Sequence, residues 1–207
     1  LFRSRNKKLS LKGEYIKLSD FKGIDMQPIK VLEAIKNPDI NYRFSQDQDE
    51  FFKIPGNPIA FWISRGMIEA FNKYKPLNSL SAVTNGMFTC NNNLFLKMWY
   101  EVKRKKINLQ CGNTKETINS EAKWYPYNKG GEFRKWYGNH EYVINFFHDG
   151  KEVRKYRKDR GQSFSLPGQE YYFRESISWS FISSTNFGVR YYPNGFIFDI
   201  AGSSVFP

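Results

Sequence analysis

VRYYPNGFIFDI, residues 189–200, joins two runs rich in β-branched and aromatic residues through Pro193-Asn194-Gly195, residue types suited to a tight turn. Read as a hairpin, it commits the C-terminal part of the chain to antiparallel pairing. ISWSFI (177–182) supports this, alternating apolar residues with serine as a strand with one wet face does. EYVINFF (141–147) and FLKMWYEV (95–102) read as further strands. The texture before residue 76 differs. EYIKLSDF (14–21) alternates well enough for one short strand, but DMQPIKVLEAIKN (25–37) sets Ile29, Leu32, Ala34 and Ile35 near one helical face, and Asn37-Pro38 ends that helix. A second helix is expected from Asn57 as cap and Pro58 in the first turn, with Ile59, Ile63, Met67, Ala70 and Phe71 at core spacing to about Tyr74. KEVRKYRKDR (151–160) fits a basic helix or a loop. The fold class is therefore α+β, with N-terminal helices followed by a largely antiparallel β-sheet domain.

Composition bounds the function. The 207 residues are 40% hydrophobic and 18% aromatic, with negative mean hydropathy, as expected of a folded, soluble domain with a real core. Net charge is +12, and residues 51–148 hold most of it, with 14 basic against 6 acidic groups. Such a concentrated positive field draws polyanions, nucleic acid first and anionic membrane second, although a solvated basic face has the same composition. Two cysteines and two histidines make neither a disulfide framework nor a zinc spacing, so free thiols in a reducing, cytoplasmic setting are expected. The start, LFRSRNKKLSLKG, is basic with no apolar run behind it, as neither a signal peptide nor a membrane helix would be. With no initiator Met, and an end directly after FIFDIAGSSVFP, the chain reads as a piece of a longer polypeptide.

KWYPYNKGGEFRKWYGN (123–139) concentrates the chemistry that a nucleic acid requires. Lys123, Lys129, Arg134 and Lys135 suit phosphates; Trp136 and Tyr137, with Trp124, Tyr125, Tyr127 and Phe133, suit base faces; Asn128 and Asn139 suit base edges. Gly130, Gly131 and Gly138 allow a close approach or a sharp turn. The alternative is that several of these rings belong to the core, and for Trp124 and Trp136 the two readings stand level. The run Lys103-Arg104-Lys105-Lys106 adds further phosphate candidates, and Asn92 and Arg190 further base-edge candidates, Arg190 equally reading as a solvated residue guarding a strand edge.

Catalytic apparatus is scarce. No phosphate loop, dinucleotide fingerprint, nucleophile elbow or H-E-x-x-H motif occurs. Glu101-Val102-Lys103 and Glu121-Ala122-Lys123 set a carboxylate two residues from a lysine, as some metal-dependent nucleases do, yet no Asp occurs between Asp49 and Asp149 to share a cation.

IPGNPIAFWIS (54–64), TCNNNLFLKMWYEV (89–102), KWYPYNKGGEFRKWYGN, ISWS (177–180) and YPNGFIFDIAGSSVFP (192–207) occur in an order that resembles the region after the catalytic domain in PglX-type adenine-specific DNA methyltransferases of BREX phage-defence systems. YIKLSDFKG and QDQDEFFKIPG resemble that family's linker out of the methyltransferase domain. The resemblance implies residues 1–53 as a helical lead-in and 54–207 as a DNA target-recognition domain, truncated at its C-terminus. It implies double-stranded DNA and the absent methyltransferase domain as partners, and S-adenosylmethionine as cofactor of the parent enzyme but not of this piece. Neither an S-adenosylmethionine motif nor an Asn-Pro-Pro-Tyr-type tetrapeptide is present, so no catalytic residue is expected. Three positions depart from the family pattern: Cys90 stands for a glycine, Leu94 for an arginine and Phe146 for a common tryptophan. A single-strand nucleic-acid binder and a protein-interaction module are the alternatives.

Overall fold

The computed structural model describes residues 12–182 and 186–207. The basic stretch 1–11 lies outside the described residues. The chain divides into two compact units, Leu1–Pro76 and Leu77–Pro207, and its class is α+β.

In the first unit, β1 (Gly13–Ile16) pairs antiparallel with β2 (Arg43–Gln46), Tyr15 opposite Phe44. Tyr15 stacks on Phe61 at 4.8 Å and meets Phe51 edge-on, so rings tie this ribbon to the 3-10 turn Gln48–Lys53. Helix α1 (Met26–Lys36) forms as its periodicity predicts and ends where Asn37 donates its N–H to Glu33 O. Its expected apolar face is a different matter. Only Ala34 is buried, while Ile29, Leu32 and Ile35 are each more than half exposed.

Helix α2 (Arg65–Lys73) starts well after its Pro58 signal suggests. Gly56 and Asn57 both adopt positive φ (83° and 50°), which turns the chain, and Ser64 is the cap, accepting from Met67 N. The C-terminal end before Pro76 agrees with the sequence. Ile54, Ala60 and Ile68, with Ile63 against them, make a small core within the first unit, which runs to Pro76.

The second unit holds two four-stranded sheets. One runs β3 (Ala82–Thr84), β10 (Gly202–Phe206), β7 (Ser176–Ser180), β8 (Val189–Tyr192), antiparallel throughout. The other runs β4 (Leu96–Met98), β6 (Tyr142–Asn145), β5 (Trp124–Asn128), β9 (Ile197–Phe198), with β5 and β9 parallel. The expected hairpin over 189–200 therefore does not exist. The turn residues do turn the chain, Gly195 at φ 99°, but β8 goes to the first sheet and β9 to the second. Phe173 is the wedge: its N–H bonds Phe196 O and its carbonyl takes Gly195 N, occupying the pairing that a hairpin would use.

Phe95, Tyr125, Phe146, Val153, Phe173 and Phe198 anchor the shared core. Short helices α3 (Asn92–Phe95) and α4 (Thr114–Ile118) cap themselves through Asn91 and Asn113. Most of residues 151–160 is helix: α5 (Phe147–Lys158) becomes regular after Gly150, and its Arg154 and Arg157 turn inward. Arg157 donates to Phe88 O at 2.6 Å with its guanidinium over the Phe88 ring, so part of the positive charge is spent inside the fold.

Cys111 is buried, its Sγ donating to Asn113 O, and burial pushes its thiol up to about 11, whereas Cys90 is exposed. A thiol-reactive dye at neutral pH is expected to titrate one thiol in the native chain and the second only after denaturant is added. Two prompt equivalents would show that the α4 region opens readily.

Candidate nucleic-acid interface

Residues 131–138 project Phe133, Arg134, Lys135, Trp136 and Tyr137 into solvent, Trp136 being 68% exposed. Lys135 Nζ lies 5.5 Å from the Phe133 ring centroid and 5.6 Å from that of Trp136, so the cation rests between two rings. A mobile loop would lose much of its binding energy in ordering such side chains. This backbone is instead clamped from beneath.

The clamps are polar side chains, Asn139 and Arg190 being buried and Ser180 half-buried. Asn139, at φ 60°, donates through Nδ2 to Gly130 O (2.9 Å) and Glu132 O (3.0 Å). Arg190 donates to Glu132 O and to Ser180 Oγ, and Ser180 Oγ in turn donates to Gly131 O at 2.6 Å. Tyr191 N–H reaches Trp136 O at 2.7 Å, so the loop covers the free edge of β8. Gly188 lies under it; a Cβ there would stand 2.8 Å from Arg134 O.

Several residues singled out in the sequence thus sit under the surface. Arg190 is 1% exposed and serves the clamp, neither meeting a base edge nor standing solvated at a strand edge. Asn128 is also 1% exposed, its amide donating to Ser178 Oγ and accepting from Gly130 N, which pins β5 to β7 across the two sheets. Lys129 pairs at 2.8 Å with Asp199, whose side chain is 1% exposed and also accepts from Tyr127 OH (2.7 Å) and Ala201 N. Burial of the Tyr127 hydroxyl, with that carboxylate beside it, drives its pKa well above its usual value. Lys129 answers a buried charge.

The others remain at the surface. Lys103, Arg104 and Lys105 are exposed around the 3-10 turn Arg104–Lys106, while Lys106 donates to Glu121 O. Lys123 is half-buried with Glu152 3.9 Å away, and Trp124 is likewise half-buried in β5, so core and surface share it. Asn92 accepts from Thr89 Oγ1 in a shallow pocket shared with Lys97, Glu101 and Lys129. Arg104 and Tyr137 border one cavity of about 310 Å³, bringing the 103–106 run and the 131–138 loop to the same opening. No sequence signal pointed to this cavity. Glu101 is occupied as a cap, accepting from Met98 N at 2.6 Å, and no group of three His, Cys, Asp or Glu among the described residues could hold a metal ion.

The three positions at which the sequence departs from the pattern it resembles lie in different settings. Cys90 sits at φ 62°, the left-handed region that glycine enters without steric cost. Leu94 is half exposed, so an arginine there would reach solvent. Phe146 is wholly buried among Tyr125, Tyr172 and Phe173, where ring size matters and no surface contact is made.

No protein-family model matches the chain. Among curated proteins, it is 42% identical over 199 residues to the adenine-specific methyltransferase PglX of Lacticaseibacillus casei (strain Zhang), across 94% of this chain. The chain is a PglX-type methyltransferase-related region. The adenine-specific methyltransferase BrxX of Escherichia coli O9:H4 (strain HS) is similar too, 40% identical over 163 residues and 77% of the chain. This PglX-related region spans only 16% and 12% of the lengths of those two relatives. No helix among its described residues is long and apolar enough to cross a membrane.

Proposed function

We propose that this PglX-related region grips duplex DNA and contributes target recognition to an adenine-specific methyltransferase. The observation that carries the reading is the clamped loop: Arg134, Lys135, Trp136 and Tyr137 are presented on a backbone held by side-chain hydrogen bonds from Asn139 and Ser180, and Tyr137 borders the same cavity as Arg104. Arg134, Lys135, Lys103, Arg104 and Lys105 meet phosphates, and the Trp136 and Tyr137 rings approach sugar or base faces. Asn92 is retained as an accessible base-edge contact. Methyl transfer, with S-adenosylmethionine as donor, is assigned to the remainder of the relatives' length, so this region has no catalytic residue of its own.

The test is a salt-titrated binding assay on labelled duplex DNA. Log affinity is expected to fall steeply against log salt, and the double variant Arg134→Ala/Lys135→Ala to flatten that slope by about 0.9 for each phosphate no longer neutralised. Affinity independent of salt would point to a protein-interaction module. Tighter binding to the unpaired strand than to the duplex would point to a single-strand binder.

A further inference from the structure

Trp99, Tyr137, Tyr142 and Phe196 contribute rings to the cavity that Arg104 borders, and the buried Val143 lies at its floor. His140 lines the cavity as well, its imidazole 4.4 Å from Tyr137 and 4.9 Å from Phe196 between ring centroids. His140 Nε2 is buried and has no hydrogen-bond partner among the described residues. A buried polar atom left unpaired costs the fold free energy and is expected to gain it when a ligand supplies the missing bond.

The lining is selective. Rings on several sides fit a planar heterocycle, and one unpaired nitrogen fits a single polar edge on it. Burial pulls the His140 pKa below its usual 6.5, which keeps the imidazole neutral at pH 7 and able to meet either a donor or an acceptor edge. Arg104 and Tyr137 both border the cavity, Tyr137 on the loop that bears Arg134 and Lys135, so a polyanion held by these bases would pass its rim. We propose that this cavity receives a single nucleobase displaced from the bound duplex, held between rings and hydrogen-bonded to His140 Nε2. The proposal rests on the duplex-binding reading above and adds a base pocket to it, separate from any catalytic site in the rest of the polypeptide.

The test compares a fully paired labelled duplex with the same duplex carrying one base opposite an abasic site. An unpaired base is already released from its partner, so the second duplex is expected to bind at least about tenfold tighter, which corresponds to about 1.4 kcal/mol. Val143→Phe, which fills the floor, and Trp99→Ala, which removes an exposed wall, are expected to bring the ratio close to one while paired-duplex affinity stays within about twofold. Retention of the preference in both variants, or its absence in the wild type together with normal salt-dependent duplex binding, would overturn the pocket alone. Loss of salt-dependent duplex binding in the wild type would overturn the duplex reading and the pocket with it.

Discussion

Lys129→Ala is expected to destabilise the second unit by about 2–4 kcal/mol while leaving the salt slope of DNA binding unchanged under native conditions. The substitution strands the Asp199 carboxylate, 1% exposed, with Tyr127 OH and Ala201 N left to answer it among the described residues. Removing one partner of a fully buried pair costs roughly 3–5 kcal/mol, and the figure is lower here because Lys129 keeps 28% of its side chain in water and its loss admits solvent. Asp199 closes the seam between the sheets through Ala201 and, by its backbone N–H, Asn128 O, so the loss spreads through both. Urea denaturation followed by tyrosine or tryptophan fluorescence reads the effect, and Arg134→Ala is the control that should unfold with the wild type. Should Lys129→Ala unfold like the wild type and instead reduce the salt slope, the lysine is a phosphate contact after all.

Asn139→Ala is expected to cost about 2–4 kcal/mol and to weaken duplex binding by about tenfold or more, although no solvent-facing side chain changes. Its amide satisfies two carbonyls, Gly130 O and Glu132 O, at the root of the loop, and each is left without that partner. Glu132 O keeps a longer bond of 3.3 Å from Arg190, so the loop is loosened and not released. The affinity loss then comes from ordering Arg134, Lys135 and Trp136 at the moment of binding. Hydrogen exchange across residues 131–138 should accelerate in step with the loss. Unchanged exchange together with full affinity would show that the side chains and not the clamp hold the loop.

These expectations separate what lay open in the sequence from what did not. Helix α1, the end of α2, and strands β6 and β7 followed from periodicity and breakers, since both act within a few residues of one another. The start of α2 was displaced because two positive-φ residues, Gly56 and Asn57, put a turn where Asn57-Pro58 resembles a cap. Exposed Ile29, Leu32 and Ile35 mark the limit of amphipathic patterns: they say which face is apolar, not what covers it.

Among the site residues, the clustering of Phe133 to Tyr137 was visible because it is contiguous, and a glycine-flanked run of rings and bases has few places in a core. By itself the sequence determined the chemistry on offer, the α+β class and the relation to PglX-type methyltransferases. Tertiary structure decided which polar side chains are spent inside, since Lys129 meets its acid 70 residues away and Asn128 its serine 50 residues away. It also split β8 from β9 and built the cavity from Trp99 to Phe196. The physical reason is the same in each case: burial and pairing depend on the free energy of contacts between distant segments, and local pattern carries no term for them.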